Sequence, residues 1–587
     1  MHKAVRDSLF LFCAMHTIHR GYSFSMIVQR GLLYCVFQNA KETVCMKITF
    51  KEAVRRGLRP GVMLTTLLIF GTLILLGMVN GDMFITMLRS MFISLMVNGG
   101  WLISLGTLGF IIFLVVLIVH PIGSIRLGGK DAKPEYSLWN WFAISLCAGI
   151  GTGIVFWGPV EPLKFAVQPQ LSTGLVGGTR DAVIWALSKS YLHWSFAPYA
   201  EYAIFGVIIA FAFYNLGADF SVSSGFYPML GKKAENTSFR GVIDSLTAFA
   251  ITGGCAGSLG YGLLQIASGL HMIFGISQST LVYICICLFI VVAFTLSSIS
   301  GMNKGIRWLS DKNAWMFLIL MSITFVVGPT QWICNLFVES IGDFFGSFIQ
   351  NITSIGAFSD TAQAVGSVWH KTGELWPQWW DQYYFADFLS FAPIIGLFSI
   401  KLAKGRTLRQ YVVMNCVVPA VFGIIWFAIF GGLALDIQYN FAAYAEKMDL
   451  QGCASLFDYM LQYGNEAVML KVIEVIPFSS ILKPLVLLLI ILSFVTMADS
   501  TTSTVSLMSI KDNKDIEEAP VPIKVFWGIL MGAASLIFTL TGNIDGIKIV
   551  KTIAGFPILL IGIAMVVLFV IYIIRHGRDK EIQDMMG

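Results

Sequence analysis

Long apolar stretches separated by short polar segments make up most of this chain of 587 residues. A helix needs about 20 predominantly apolar residues to cross a bilayer. The stretches that approach this length lie near residues 61–80, 99–120, 138–158, 190–215, 243–268, 279–299, 314–336, 383–403, 411–434, 480–508, 523–542 and 552–575. The pattern predicts an all-α integral membrane protein with about twelve transmembrane helices.

The composition agrees with this pattern. Hydrophobic residues make up 56% of the chain and charged residues only 12%, whereas a soluble globular domain carries about 25% charged residues. The net charge of +5 is modest, and the Lys and Arg residues lie mainly between the apolar stretches. This arrangement is typical of a protein embedded in a lipid bilayer rather than of one that binds nucleic acid.

The basic residues fall largely in alternate loops, beginning with a cluster at 51–59 ahead of the first stretch. Because cytoplasmic loops are enriched in Lys and Arg, we predict a multi-pass protein of the cell (inner) membrane with both termini in the cytoplasm. The exceptions to the alternation are Lys164, Arg180, Lys189 and Lys471. Residues 1–45 contain no clean spanning stretch and are predicted to be an N-terminal extension, either disordered or read from a start upstream of Met46.

One apolar stretch, LCAGIGTGIVFWGPVEPL at 146–163, carries Gly149, Gly151 and Gly153 at alternate positions. Each Gly costs a helix about 1 kcal/mol relative to Ala, so a bent or locally unwound helix is expected here. Freed carbonyls survive in a membrane only where they line a cavity or are buried in protein, and transporters build substrate sites from such helices. Close helix packing through small residues is the alternative. The acid and prolines that follow favour a site.

The sequence also bears on the class of function. It contains no phosphate-binding Walker loop, no paired metal-ligand cluster and no nucleophile elbow. We therefore predict a secondary transporter rather than a pump or an enzyme, with no cofactor and no metal. A channel is disfavoured because no filter-like segment is present. The segment 337–382 is amphipathic and rich in Trp, which suits a helix at the membrane interface.

Several motifs resemble those of the betaine–choline–carnitine transporter family, and they occur in the family's order. The matching motifs are IRLGGKDAKPEYS at 125–137, AGIGTG and FWGPVEP within 148–162, YLHW at 191–194, SLGYG at 258–262, FVES at 337–340, GLF and KGRT within 396–407, and ADS at 498–500. Each motif alone is weak, but together they cover roughly residues 46–575.

The resemblance implies a fold of two extra N-terminal helices followed by a five-plus-five inverted repeat of the amino-acid-transporter type. It divides the chain into the two N-terminal helices (46–137), the first repeat (138–336), the amphipathic outer segment (337–382), the second repeat (383–575) and a cytoplasmic tail (576–587). It also implies homotrimers and the uptake or exchange of quaternary ammonium or methylated-amine solutes such as choline, betaine or carnitine.

A trimethylammonium head donates no hydrogen bonds and is best held by the faces of aromatic rings. The family builds such a box from two helices, and its pattern falls here on Trp194, Tyr199 and Tyr202 in one helix and on Phe388 and Phe391 in the other. An interfacial aromatic cluster is the alternative interpretation. The backbone at the three glycines of the 146–163 stretch is expected to let the substrate approach closely.

Asp387 stands where the family places an aromatic residue, and Glu201 is a second acid within an apolar stretch. Acids inside membrane spans are costly and are functional candidates by default. We expect Asp387 to neutralise a cationic substrate or to carry a proton, which argues against a zwitterion. The alternatives place both acids at the water interface or pair them with Lys or Arg.

The residues expected to bind a coupling ion are Thr496, Asp499 and Ser258. Relative to sodium-coupled members of the family, Met497 and Cys255 remove hydroxyl groups and Ile394 removes an aromatic ring. We therefore predict transport without obligatory sodium. Two alternatives stay open: a sodium- or proton-coupled carrier of another amino-acid-like solute, and a solute-binding membrane sensor. The short tail after residue 575 favours transport over sensing.

Overall fold

A computed structural model describes the protein over residues 24–29, 32–37, 46–150, 153–300, 305–356 and 376–586. The chain divides into two units, one of residues 1–47 and 514–517 and the other of residues 48–513 and 518–587. The smaller unit contains the antiparallel strands β1 (Phe24–Gln29) and β2 (Leu32–Phe37), with Phe24 opposite Phe37. The short strands β3 (Met46–Lys47) and β4 (Ile516–Glu518) pair with each other. The predicted N-terminal extension thus contains a hairpin, and most of its other residues lie outside the described ones.

The larger unit is built from α-helices. In its first part these are α1 (Phe50–Arg56), α2 (Pro60–Val79), α3 (Gly81–Val119), α4 (Leu138–Ile150), α5 (Gly153–Val167), α6 (Arg180–Trp194), α7 (Phe196–Asn215), α8 (Tyr227–Leu230), α9 (Thr237–Phe274), α10 (Thr280–Ser300), α11 (Arg307–Val327), α12 (Thr330–Gly346) and α13 (Phe348–Ile352). In its second part they are α14 (Trp376–Trp379), α15 (Asp381–Ile400), α16 (Leu408–Val412), α17 (Val418–Tyr439), α18 (Leu456–Tyr463), α19 (Asn465–Val472), α20 (Ser479–Met508), α21 (Val521–His576) and α22 (Lys580–Met586).

Within the described residues, ten helices are long and apolar enough to cross a membrane, or eleven when the bent pair α4–α5 counts as one span. The predicted spans at 523–542 and 552–575 both lie in α21, a helix of 56 residues. Its first part, Val521–Ile537, is apolar but shorter than a full crossing. The structure confirms a nearly all-helical multi-pass membrane protein, while the number of spans and the inverted repeat stay predictions.

The predicted boundary between a span and the amphipathic segment, at 336–337, falls inside a helix. Helix α11 ends at Val327, and α12 begins at Thr330 and continues to Gly346 without a break at that point. The physical reason is the Gly328–Pro329 pair: the Pro ring disfavours helical backbone at the residue before it. Of the interfacial Trp residues predicted in this segment, Trp369 lies outside the described residues, and Trp376, Trp379 and Trp380 lie in or next to α14.

Helix α15 lies at the centre of the bundle, and every one of its 20 residues is buried. It packs closely against α7, because a Cβ atom at Gly396 would lie only 2.8 Å from the backbone nitrogen of Gly206. On another side Gly555 of α21 packs directly on the backbone of Ala386, where a side chain would collide with a carbonyl oxygen. Small residues thus let neighbouring backbones approach and fix the direction of the side chains of α15.

Candidate substrate site

Four aromatic side chains meet near the centre of the bundle and are called the aromatic cluster below: Trp194, Tyr199, Tyr202 and Phe388. The Phe388 ring lies 5.6 Å from Trp194, 6.1 Å from Tyr199 and 5.3 Å from Tyr202, measured between ring centroids. All four side chains are buried. The sequence predicted these residues as one box, and the structure brings them together.

Phe391, the fifth predicted aromatic residue, faces a different group of residues. It lies one turn beyond Phe388 on α15 and packs against Gly254 of α9, where an added Cβ would come within 2.9 Å of its ring. The ammonium nitrogen of Lys551 is 5.7 Å from its centroid. Phe391 therefore belongs to the neighbourhood of Lys551.

The break between α4 and α5 lies beside the aromatic cluster, and the two helices differ in direction by 65°. A Cβ atom at Gly149 would contact the Tyr202 ring at 3.5 Å, and one at Gly153 would come within 2.7 Å of the Trp194 ring. The backbone at these two glycines thus forms one side of the cluster. Gly151 lies outside the described residues.

Asp387 forms a buried ion pair with Lys551 of α21. The distance from Lys551 Nζ to Asp387 Oδ2 is 2.7 Å, and the Tyr383 hydroxyl donates to the same oxygen at 3.3 Å. The Asp387 and Lys551 residues are only 7% and 3% exposed. Among the alternatives predicted for Asp387, the structure therefore shows the one in which it pairs with a Lys. Sequence reasoning missed Lys551 because the last predicted span began one residue after it.

Glu201 is fully buried on α7 and faces α3. The Thr107 hydroxyl donates to Glu201 Oε1 at 2.6 Å. Neither Glu201 nor Asp387 is at a water interface, so that alternative is wrong for both residues. Asp387 adjoins the aromatic cluster through its chain neighbour Phe388, whereas the bonded oxygen of Glu201 points to the N-terminal helices.

Beside the aromatic cluster, a buried polar network joins Glu161, His193, Asp381 and Lys189. His193 Nδ1 lies 2.5 Å from Glu161 Oε1, and His193 Nε2 lies 2.7 Å from Asp381 Oδ1. Lys189 Nζ is 2.9 Å from Asp381 Oδ2. All four side chains are at most 1% exposed. Four ionisable groups are thus held together in a site that is buried from solvent.

This network also contacts the aromatic cluster. Glu161 Oε2 accepts a hydrogen bond from Trp194 Nε1 at 3.0 Å and another from the Tyr384 hydroxyl at 2.6 Å. The sequence analysis took the acid of FWGPVEP, Glu161, only as a sign that a site lies near the break, and it gave no role to His193 in YLHW. The signal was available, because acids and His are rare inside membrane spans.

The predicted ion-coupling residues lie on two helices. Thr496 and Asp499 are one turn apart on α20, while Ser258 is half-buried on α9. The Thr496 hydroxyl donates to the carbonyls of Leu492 and Ser493, and the Asp499 carboxylate accepts from Ser297 Oγ at 2.5 Å. Within the described residues, no group of three or more His, Cys, Asp or Glu side chains is arranged to hold a metal ion.

The known proteins that this chain resembles are transporters. The family model described as "BCCT, betaine/carnitine/choline family transporter" matches residues 61–577. The chain is 31% identical to the glycine betaine transporter OpuD of Bacillus subtilis, over 82% of this chain and 87% of that protein. It is 30% identical to a probable glycine betaine transporter of Desulfitobacterium hafniense, with 81% and 90% covered. An ectoine/hydroxyectoine transporter of Virgibacillus pantothenticus is 28% identical, with 87% and 96% covered.

Proposed function

Because the chain belongs to the betaine/carnitine/choline transporter family, we propose that it takes up a zwitterionic solute of the glycine betaine type and holds the ammonium head in the aromatic cluster. Family membership makes it a multi-pass membrane protein and a secondary transporter of quaternary ammonium solutes rather than an enzyme. The proposal concerns the preferred solute, the ion that drives its transport and the residues that bind it.

The observation that carries the proposal is the meeting of four aromatic rings at the break between α4 and α5. The rings come from α15 and from the junction of α6 and α7, so no single helix accounts for the cluster. A quaternary ammonium head against such rings gains roughly 0.5–2 kcal/mol for each favourable face.

The ion pair of Asp387 with Lys551 favours a zwitterion over a simple cation. An isolated carboxylate here would attract choline and repel the carboxylate of glycine betaine. With the Lys551 ammonium only 2.7 Å away, the two charges largely cancel. With its charge balanced in this way, Asp387 is not expected to repel a zwitterion.

The carboxylate of the solute also needs a partner. Helix α5 begins at Gly153, against the Trp194 ring. The amino end of a helix carries partial positive charge and unpaired N–H groups that bind anions. A zwitterion with its ammonium head in the aromatic cluster would place its carboxylate at this helix end, which is an arrangement that interrupted transporter helices use.

We expect transport to proceed without obligatory sodium. Met497 and Cys255 supply no hydroxyl oxygen where sodium-coupled relatives have one, and the Thr496 hydroxyl already donates to two backbone carbonyls. The proposal also includes a homotrimer in the inner membrane with both termini in the cytoplasm, which rests on family resemblance and on the distribution of basic residues.

An uptake panel in proteoliposomes tests the proposed function. Labelled glycine betaine is offered under an imposed membrane potential and pH gradient, and unlabelled choline, carnitine, ectoine or glycine betaine is added as competitor. Glycine betaine should be taken up, and it should compete better than choline. Competition by choline alone, or no uptake in protein that binds none of the four, would overturn the proposal.

A further inference from the structure

We propose that His193 is the binding site of a coupling proton, held between Glu161 and Asp381 and carried inward together with the solute. This inference rests on the proposed function, because it supplies the driving ion for the same substrate site. The supporting observation is the pair of hydrogen bonds made by the His193 imidazole ring.

Both ring nitrogens of His193 face carboxylates, at 2.5 Å for Nδ1 to Glu161 and 2.7 Å for Nε2 to Asp381. A neutral imidazole has one N–H donor and one acceptor nitrogen, whereas an ionised carboxylate only accepts. A neutral ring between two ionised carboxylates would therefore leave one nitrogen facing an oxygen with no proton between them. The observed geometry requires one extra proton, either on the ring or on one of the acids.

The neighbouring charges favour retention of that proton. Lys189 on α6 lies 2.9 Å from Asp381, and with a protonated His193 it balances the charges of Glu161 and Asp381. Other polar groups also face the network. The Tyr384 hydroxyl and the Trp194 indole donate to Glu161, and Lys189 donates to the Asn351 carbonyl at 3.4 Å. At the edge, Lys164 of α5 lies over the Trp380 ring at 5.4 Å. Loss of the proton would leave a net negative charge among buried side chains, which is strongly unfavourable.

The proton is linked to the solute through Glu161. The same carboxylate that accepts from His193 also accepts from Trp194 Nε1, at 3.0 Å, and so orients one ring of the aromatic cluster. Tyr384 provides a second connection: its ring stacks on His193 at 4.6 Å and contacts Trp194 at 5.5 Å. When the proton leaves, the neutral ring can donate to only one of the two carboxylates, so Glu161 and the Trp194 ring that it orients are held less firmly.

Binding of the solute and of the proton should therefore strengthen each other, since coupling between two sites is reciprocal. The proton would enter from the outer solution when the site is open to that side and leave to the cytoplasm with the solute. No other co-reactant is needed. Downhill proton entry would then drive accumulation of the solute without sodium.

The test uses the full-length protein in sodium-free proteoliposomes that contain a pH-sensitive dye. Addition of glycine betaine outside should acidify the interior in wild type. His193→Gln, which can donate and accept but does not take up a proton near neutral pH, should abolish this acidification. In binding assays, affinity of wild type should fall about tenfold as pH rises through the working range of the site, while residual binding to His193→Gln should no longer vary with pH.

Three comparisons keep this result interpretable. His271→Gln, at an exposed position near the end of α9, should behave as wild type. Asp381→Asn keeps an acceptor oxygen but removes the negative charge of one of the two carboxylates, and it should lose proton movement as His193→Gln does. The two variants are independent, so one can be read if the other folds poorly. Glu201→Gln should retain proton movement, and loss of it in that variant alone would overturn the proposal by placing the proton at Glu201.

Failure of this inference and failure of the proposed function give different results. Glycine betaine that exchanges between equal pH compartments but moves no protons would overturn the proton site and leave the proposed function standing. Protein that neither binds nor exchanges glycine betaine would overturn both. Proton movement that persists in His193→Gln would also contradict the inference.

Discussion

Lys551 is the residue that most changes the interpretation of the site. Its ammonium nitrogen contacts Asp387 and lies 5.2 Å from the Tyr261 centroid and 5.7 Å from that of Phe391. A carboxylate and two aromatic faces form the surroundings that a free cation would seek. The chain therefore carries its own cation beside Asp387, which agrees with the proposed preference for a zwitterion.

This balance predicts the effect of removing one charge. Lys551→Met leaves Asp387 buried without its main counter-charge, which should destabilise the protein by about 3–5 kcal/mol and shift binding preference towards choline. Thermal unfolding in detergent and competition between choline and glycine betaine measure the two effects. The double variant Lys551→Met with Asp387→Asn should recover most of the stability. Equal unfolding temperatures for wild type and Lys551→Met would contradict the prediction.

At the scale of elements, the interrupted helix α4–α5 contacts the aromatic cluster and so links its backbone break to the position of Trp194. Gly153 starts α5 directly against Trp194, and Glu161, two turns later, accepts the hydrogen bond from the same indole. One short helix thus limits the position of the ring from two sides. A change at Gly153 should therefore alter substrate binding by moving the Trp194 ring.

Gly153→Ala tests this connection. The added methyl would lie 2.7 Å from the Trp194 ring, so the ring must move, and overpacking of this kind costs about 1–3 kcal/mol. We expect glycine betaine affinity to fall while the protein remains folded. Gly109→Ala on α3, where no atom lies within 4 Å of the new methyl, is the matched control. Unchanged affinity in both variants would show that the backbone break does not influence substrate binding.

The elements also show what the sequence could predict. Apolar length located most spans, the glycine run marked the break at α4–α5, and the motif register placed Trp194, Tyr199, Tyr202 and Phe388 in one cluster. The charged partners were missed for one physical reason: hydropathy penalises ionised residues, so Lys551 and Asp381 were assigned to the segments outside the spans. Only tertiary structure shows that these charges are buried and paired.

At the scale of the whole molecule, we expect the driving force for transport to be independent of sodium. Replacing sodium with potassium on both sides of the membrane should leave the initial rate of glycine betaine uptake nearly unchanged when the pH gradient is held constant. Uptake that disappears without sodium would contradict this expectation. It would also direct attention to Ser258, Thr496 and Asp499 as an ion site.

The central claim is that the aromatic cluster binds the ammonium head of the solute, and equilibrium binding to purified Trp194 variants tests it most directly. Trp194→Ala should weaken glycine betaine binding by about 1–2 kcal/mol, or roughly five- to thirtyfold, and Trp194→Phe should recover part of the loss. Trp308→Ala, at a residue exposed on α11, should bind as wild type. Equal affinity for all four proteins would place the solute elsewhere and contradict the account.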